Sequence, residues 1–156
     1  MSDERTSTTT FLANELRDVL TETTLFEQVD ALEGEVFRDV VGRKTFQFSM
    51  SGQSYFAKVH YGVGWWEITK NLLQLRLPVI GASNEWLAIR KLHSLGVDTM
   101  EAVAYVNQGW NPARRQSCLV TKDLQETISL EYLVLENRQT LRLKRALTER
   151  VACVAN

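Results

Sequence analysis

The sequence predicts an α+β fold in which a five-stranded antiparallel sheet packs against one main helix. Residues 35–60 hold three short alternating segments separated by glycine-containing turns, which is typical of an antiparallel meander. Residues 83–94 carry apolar side chains at helical spacing, and two further strand patterns follow them. A run of strands, one amphipathic helix and two more strands favours a single sheet with a helix on one face.

Length, composition and charge indicate one soluble intracellular domain. The 156 residues are 44% hydrophobic and carry a net charge of −1, which predicts no nucleic-acid partner. The polar N-terminus MSDERTSTTT lacks the apolar core of a secretory signal, and no segment approaches the roughly 18 apolar residues of a membrane span. Cys118 and Cys153 lack metal-binding spacing and lie among apolar residues, so we expect reduced, buried thiols.

The first part of the chain is predicted to lead into the meander. Residues 1–10 are polar and rich in threonine, which predicts disorder. Residues 11–20 place apolar side chains at helical spacing, which predicts a short amphipathic helix. The three strands of the meander are then expected at Glu35–Val40, Lys44–Met50 and Tyr55–His60.

Two helices and two strands complete the predicted lobe. A helix beginning at Trp65 is expected to end at Pro78, and the main helix is expected to begin near Ser83, acting as N-cap, and to close at Gly96. The remaining predicted elements are strands at Ala102–Val106 and Ser117–Thr121, a helix start at Ser129–Leu133 and a longer helix over Thr140–Val154.

Lys58 stands in the middle of a short apolar strand pattern, SYFAKVH. A period of two places Phe56, Lys58 and His60 on one face of the strand. A half-buried lysine must extend its ammonium to water or meet an anion, which can be a protein carboxylate or a ligand phosphate. Glu85 in the first turn of the main helix is a candidate, because kinase-like folds position ATP with a lysine held by a helical glutamate. A solvated surface lysine is the alternative.

Long stretches of the chain resemble the lipopolysaccharide core heptose(I) kinases, distant relatives of protein kinases. The resemblance runs from Gly34 to Leu133 through SYFAKVHYGVGWWEITKNLLQLRLPVIGASNEW and GVDTMEAVAYVNQGWNPARRQSCLVTKDLQETISLE, and a further stretch follows at RLKRALTERVA. It implies a protein-kinase-like N-terminal lobe over 34–124, preceded by an extension over 1–33. A linker and the first helix of a truncated C-terminal lobe are implied over 125–156.

The same resemblance implies an activity. The family transfers the γ-phosphate of ATP, with Mg²⁺, to the first heptose of the lipopolysaccharide inner core. The implied location is the cytoplasmic face of the inner membrane of Gram-negative bacteria. A related small-molecule kinase, such as an aminoglycoside phosphotransferase, and a non-catalytic nucleotide- or partner-binding module are the alternatives.

Four residues are implied at the phosphate end of a nucleotide site. Lys58 resembles the phosphate-binding strand lysine of the family, and Glu85 resembles its helical partner. Gly42 and Arg43 lie where kinases cover the phosphates with a glycine-rich loop. Only one glycine is present there, and a solvated turn arginine fits Arg43 equally well.

The adenine end is implied by the stretch CLVTKDL. Thr121 takes the gatekeeper position, and backbone groups of Lys122 and Leu124 would face the adenine. Phe56 replaces the small residue usually found two positions before the lysine, so the shape of the adenine pocket stays open.

The chain contains no H-R-D or D-x-H segment. The catalytic Asp of the family is therefore expected beyond Asn156, and we expect a truncated chain that does not complete catalysis. No catalytic residue and no metal ligand is assigned within the sequence.

Two surface features have two interpretations each. The stretch Trp65–Leu77 fits an extra helix packed on the lobe better than a helix lying against lipid, because apolar stripes at helical spacing are usually core. Arg114 and Arg115 can meet sugar phosphates or form a solvated turn.

Overall fold

A six-stranded antiparallel sheet organises the first of the two units into which the chain divides, Met1–Asp123 and Leu124–Asn156. The computed structural model describes residues 8–62, 64–73, 81–125, 127 and 141–155. In chain order the elements are β1 (Thr9–Leu12), 3-10 turns at Asn14–Leu16 and Glu22–Thr24, α1 (Leu25–Asp30), β2 (Glu35–Val40), β3 (Arg43–Met50), β4 (Gln53–His60), α2 (Gly64–Leu73), α3 (Ser83–Ser94), β5 (Ala102–Gln108), β6 (Gln116–Lys122) and α4 (Leu141–Ala155).

The strand order is β1-β5-β6-β4-β3-β2, with every neighbouring pair antiparallel. The predicted meander of β2, β3 and β4 is confirmed, as are the two later strands. Strand β4 lies between β3 and β6, so Lys58 has Thr45 on one side and Leu119 on the other. Hydrogen bonds between the strands therefore hold the Lys58 backbone to β3 on one side and to β6 on the other.

Strand β1 corrects two predictions. Within the described residues the sheet has six strands rather than five, because Thr9–Leu12 pairs with β5 through contacts such as Phe11 with Tyr105. The helix predicted over residues 11–20 is instead this strand followed by a 3-10 turn. A ten-residue helix is marginal alone, and the free edge of β5 offers a full ladder to the same residues. Thr9 and Thr10, predicted to be disordered, also lie in β1, whereas residues 1–7 lie outside the described part.

The larger hydrophobic core lies on one face of the sheet. It joins side chains from strands β1 and β3 to β6 with the segment that precedes β2, namely Leu12, Leu16, Leu20, Leu25, Phe26, Val29, Phe46, Phe48, Tyr55, Ala57, Val59, Val103, Ala104, Val106, Cys118 and Val120. The segment before residue 34 therefore belongs to the same core as the sheet. The functional division of the chain at residues 34 and 125 stays a prediction.

Helix α3 covers the opposite face. Trp86 and Ile89 are buried against Tyr105 and Leu119 of the sheet, and the Trp86 and Tyr105 rings stack with centroids 4.9 Å apart at 5°. The predicted end of the helix is confirmed, since the Gly96 N–H donates to the His93 carbonyl at 3.0 Å. Stacked aromatic rings tie this helix to the sheet.

The predicted N-cap of α3 is wrong by one residue. Ala82 occupies that position, and no side chain caps the helix. The Ala82 N–H instead donates to Ser117 Oγ at 3.0 Å, and Ser83 Oγ accepts the Tyr105 hydroxyl at 3.1 Å. The start of α3 is therefore fixed by bonds to two strands, which take the place of a local cap.

The remaining elements differ in how much of them is described. Strand β2 is exposed at all six positions. Helix α2 begins at Gly64 and ends at Leu73, and the residues up to the predicted stop at Pro78 lie outside the described part. The helix start predicted at Ser129–Leu133 also lies outside it, while the last predicted helix is confirmed as α4.

Candidate functional site

Lys58 lies on the α3 face of the sheet. Tyr55, Ala57 and Val59 point into the larger core, and the alternation of β4 directs Lys58 to the other side. Its side chain is 32% exposed and belongs to neither hydrophobic cluster. The ammonium is thus half-buried and still open to solvent.

The Lys58 Nζ donates to Glu85 Oε1 in an ion pair between β4 and α3. Glu85 lies in the first turn of α3, one residue before the buried Trp86, and its side chain is also 32% exposed. The helix is placed by its packing on Tyr105 and by the bond from Ala82 to Ser117. This lysine and this glutamate were both predicted from the sequence, and the fold brings them together.

Gly42 and Arg43 lie at the turn between β2 and β3, beside His60 and Tyr61 at the end of β4. The Gly42 carbonyl accepts the Tyr61 N–H at 3.0 Å, which closes the turn against the end of β4. Arg43 is partly buried and pairs in register with His60. The turn therefore places Arg43 opposite His60, which lies two residues from Lys58 on the same face of β4.

His60 was placed on this face by the sequence pattern but was assigned no role there. It is 7% exposed and shares the face of Lys58, two residues along β4. Burial lowers the pKa of His60, and the Arg43 guanidinium lowers the pKa further. The imidazole is accordingly neutral near pH 7. The period of two that placed it on the Lys58 face was the available signal.

Thr121 and Lys122 point to opposite faces of β6. Thr121 is buried and pairs with Phe56, one step from Lys58 on the same face. The Lys122 ammonium instead binds Glu15 and Glu101 at 2.9 Å each, and these hydrogen bonds raise the pKa of Lys122. The Lys122 N–H donates to the Glu101 carbonyl at 2.9 Å. Because the Lys122 N–H already donates to Glu101, a hydrogen bond from adenine to the Lys122 backbone would have to be accepted by the Lys122 carbonyl.

Leu124 begins the second unit. Its side chain is 53% exposed, and its carbonyl accepts the Thr127 hydroxyl at 2.8 Å. Just before it, the Asp123 carboxylate accepts the Gln47 amide at 2.9 Å, and the Asp123 N–H donates to the Ser54 carbonyl at 3.0 Å. The strand end before Leu124 is therefore held to β3 and β4.

An aromatic pair lies beside Thr121. Phe56 contacts Phe37 of β2 edge to face, with ring centroids 5.3 Å apart, and Phe37 is 57% exposed. The large side chain at position 56 thus forms an accessible aromatic surface together with β2, a contact that sequence analysis missed because the partner lies on another strand.

Within the residues that the structure describes, no group of three or more His, Cys, Asp or Glu side chains could hold a metal ion. Over the same ranges, no helix is both long and apolar enough to cross a bilayer.

Comparison with known sequences decides the family. A profile of the lipopolysaccharide kinase (Kdo/WaaP) family matches residues 27–156. The chain belongs to this family. It is 51% identical over 130 residues to the lipopolysaccharide core heptose(I) kinase WaaP of Pseudomonas aeruginosa, an alignment that covers 81% of this chain and 48% of that protein. It is 50% identical over 130 residues to the heptose(I) kinase WaaP of Escherichia coli, covering 81% of this chain and 49% of that one.

A solved structure of WaaP in complex with acyl carrier protein has the same fold. The TM-score is 0.74 at 37% sequence identity, and the match covers 92% of this chain and 54% of the other. The predicted α+β, kinase-like architecture and the predicted resemblance to the heptose(I) kinases are both confirmed. The Kdo/WaaP chain described here spans about half the length of the curated relatives it matches.

Proposed function

We propose that this Kdo/WaaP family chain provides the ATP-binding part of a kinase that phosphorylates the first heptose of the lipopolysaccharide inner core. The ion pair between Lys58 and Glu85 carries the proposal, because it joins strand β4 to helix α3 and remains accessible to solvent. The curated relatives, both called heptose(I) kinases, support the choice of acceptor.

The residues around Lys58 fit a triphosphate. Its ammonium and the Arg43 guanidinium supply positive charge, and Glu85 holds the lysine without closing it off from solvent. A lysine held by a carboxylate keeps one ammonium direction fixed while its other N–H groups remain available to phosphate oxygens. Bound ATP would supply the phosphoryl group, and Lys58 would position it.

The adenine would lie toward Thr121 in this proposal. Thr121 and Phe56 form the next step of the same face, and Phe37 extends it as an accessible aromatic ring. We assign Thr121 as the gatekeeper and the Lys122 carbonyl and Leu124 backbone as adenine contacts. Gly42 would cover the phosphates from the turn between β2 and β3.

Mg²⁺ is part of the proposed reaction, but no ligand for it is assigned. The described residues contain no cluster of side chains that could hold a metal ion. Their proposed contribution is restricted to positioning the nucleotide.

The acceptor places the proposed enzyme at a membrane surface. The heptose of the lipopolysaccharide core is attached to a lipid anchor, so the kinase would meet it at the cytoplasmic face of the inner membrane.

Calorimetric titration of the chain with ATP, with and without Mg²⁺, tests the nucleotide part. Saturable binding that weakens in Lys58→Ala is expected. If the folded chain did not bind ATP, the proposed nucleotide site would be refuted.

A chimera tests whether the phosphoryl acceptor is the first heptose of the lipopolysaccharide core. The chain's matching 130 residues would replace the corresponding segment of the E. coli heptose(I) kinase WaaP, to which they are 50% identical. The chimera should restore core phosphate in a strain lacking that kinase, measured by mass spectrometry of the purified core. Core phosphate absent despite soluble chimera that binds ATP would favour a nucleotide-binding module without this activity.

A further inference from the structure

Helix α2 turns three large apolar side chains to solvent. Trp65 is 60% exposed, and Trp66 and Leu73 are each 81% exposed, whereas Ile68 is buried at 6%. At 3.6 residues per turn the three exposed side chains fall within an arc of about 100°. Thr69 lies inside this arc, and its hydroxyl donates to the Trp65 carbonyl at 2.8 Å. The one hydroxyl in the arc is therefore satisfied by the helix backbone.

The turn between β5 and β6 also carries large exposed side chains. Trp110, in the turn between β5 and β6, is 66% exposed, and Arg114 in that turn is also exposed. The turn is internally bonded, since the Arg114 N–H donates to the Asn111 carbonyl and the Ala113 N–H donates to Asn111 Oδ1, both at 3.0 Å. The tryptophan and the arginine thus project from an ordered turn.

Two contacts join this turn to the start of α2. The Gly64 N–H donates to the Ala113 carbonyl at 3.0 Å. Gly62 has a φ of 85°, and a Cβ there would lie 2.8 Å from the same carbonyl, so only glycine permits this approach. The two elements therefore adjoin, and we call their exposed side chains the tryptophan surface: Trp65, Trp66, Leu73, Trp110 and Arg114.

Exposed apolar groups of this size usually mark an interaction site. Tryptophan has an apolar body and an N–H donor, which suits the boundary between lipid chains and headgroups. Arginine pairs with phosphate. A helix that lies in a membrane interface presents an apolar arc of this kind, about 100° wide. The Thr69 hydroxyl within the arc does not disturb it, because it is bonded to the helix backbone.

We propose that the tryptophan surface binds the chain to a bilayer containing anionic phospholipid, with the three tryptophans at the headgroup level and Arg114 on a lipid phosphate. The choice of lipid over a protein partner rests on the proposed function, whose acceptor is lipid-anchored. Binding would bring α2, and with it the end of β4, to the surface that carries the acceptor.

Co-flotation of the full chain with vesicles of phosphatidylethanolamine and phosphatidylglycerol tests this proposal. Trp66→Ala and Trp110→Ala should each lower the partition coefficient about tenfold, since each removes one interfacial side chain. Arg114→Glu should weaken binding to these vesicles and leave binding to neutral phosphatidylcholine vesicles unchanged. Leu95→Ala is the matched control, because Leu95 is 62% exposed outside the tryptophan surface.

The results separate this inference from the proposed function, because ATP binding is measured on the same samples. Variants that lose vesicle binding and keep wild-type ATP affinity would support the membrane surface. Equal vesicle binding by wild type, Trp66→Ala and Trp110→Ala would overturn it. It would also be overturned if light scattering showed a dimer that Trp66→Ala dissolves while vesicles bind no protein.

Discussion

Replacing Lys58 by alanine should weaken ATP binding and leave the fold intact. The lysine belongs to neither hydrophobic cluster, so its truncation opens no core cavity, and it pairs with Glu85 at 32% side-chain exposure. An ion pair that is this exposed contributes at most about 1 kcal/mol to stability. A charge-assisted hydrogen bond to phosphate is worth about 1.5–3 kcal/mol, which corresponds to a rise in Kd of about 10- to 100-fold.

Calorimetry gives the Kd for ATP, and urea unfolding gives the stability. Lys44→Ala is the matched control, because Lys44 lies on the neighbouring strand but on the opposite face, over the Phe46 ring. The control should keep wild-type ATP affinity. A Kd for Lys58→Ala within a factor of two of wild type, in a folded protein, would refute the assignment of Lys58 to the phosphates. In the chimera, phosphorylation should fall by orders of magnitude with the same substitution.

Three further predictions concern single groups. Glu85→Gln should raise the Kd for ATP less than Lys58→Ala does, since the amide oxygen still accepts from the lysine, and the same titration compares them. His60 has its pKa lowered by burial and by Arg43, so its stabilising effect is present above its ordinary value of 6.5 and is lost as the pH falls below it. Urea unfolding at about pH 7.5 and about pH 5.5 should show this loss, and His60→Asn should reduce it; an equal pH dependence in the variant would contradict the assignment. Burial raises the pKa of Cys118 to about 12, so in a Cys153→Ser background iodoacetamide should label it only after unfolding. Rapid labelling of the native protein would contradict its burial.

Strands β3 and β4 could be predicted from the sequence because their burial alternates. In β4 the buried Tyr55, Ala57 and Val59 alternate with Phe56 and Lys58, and this period of two is local information. Strand β1 could not be assigned in this way. Phe11 and Leu12 fit a helical spacing equally well, and only the free edge of β5, which is distant in sequence, selects the strand.

The candidate site was likewise predictable from the sequence only in part. Lys58 and Glu85 could be selected because a lone lysine in an apolar strand and an acid in a first helical turn are both visible in the sequence. The partners of Lys122 could not be, since Glu15 and Glu101 come from distant segments. The contact between Phe37 and Phe56 depends on the register of β2, β3 and β4. This register cannot be predicted from the residues of any one strand.

The described sheet ends in β1 on one side and in β2 on the other. Strand β1 is an edge of only four residues, whereas β2 is an edge of six residues that is exposed at every position. An open edge invites backbone pairing between molecules, the first step of aggregation. Strand β2 resists this with a register shift between Val36 and Arg38 and with the charges of Glu35, Arg38 and Asp39. The protein should therefore tolerate high concentration, and neutralising these charges would make it prone to form intermolecular sheets.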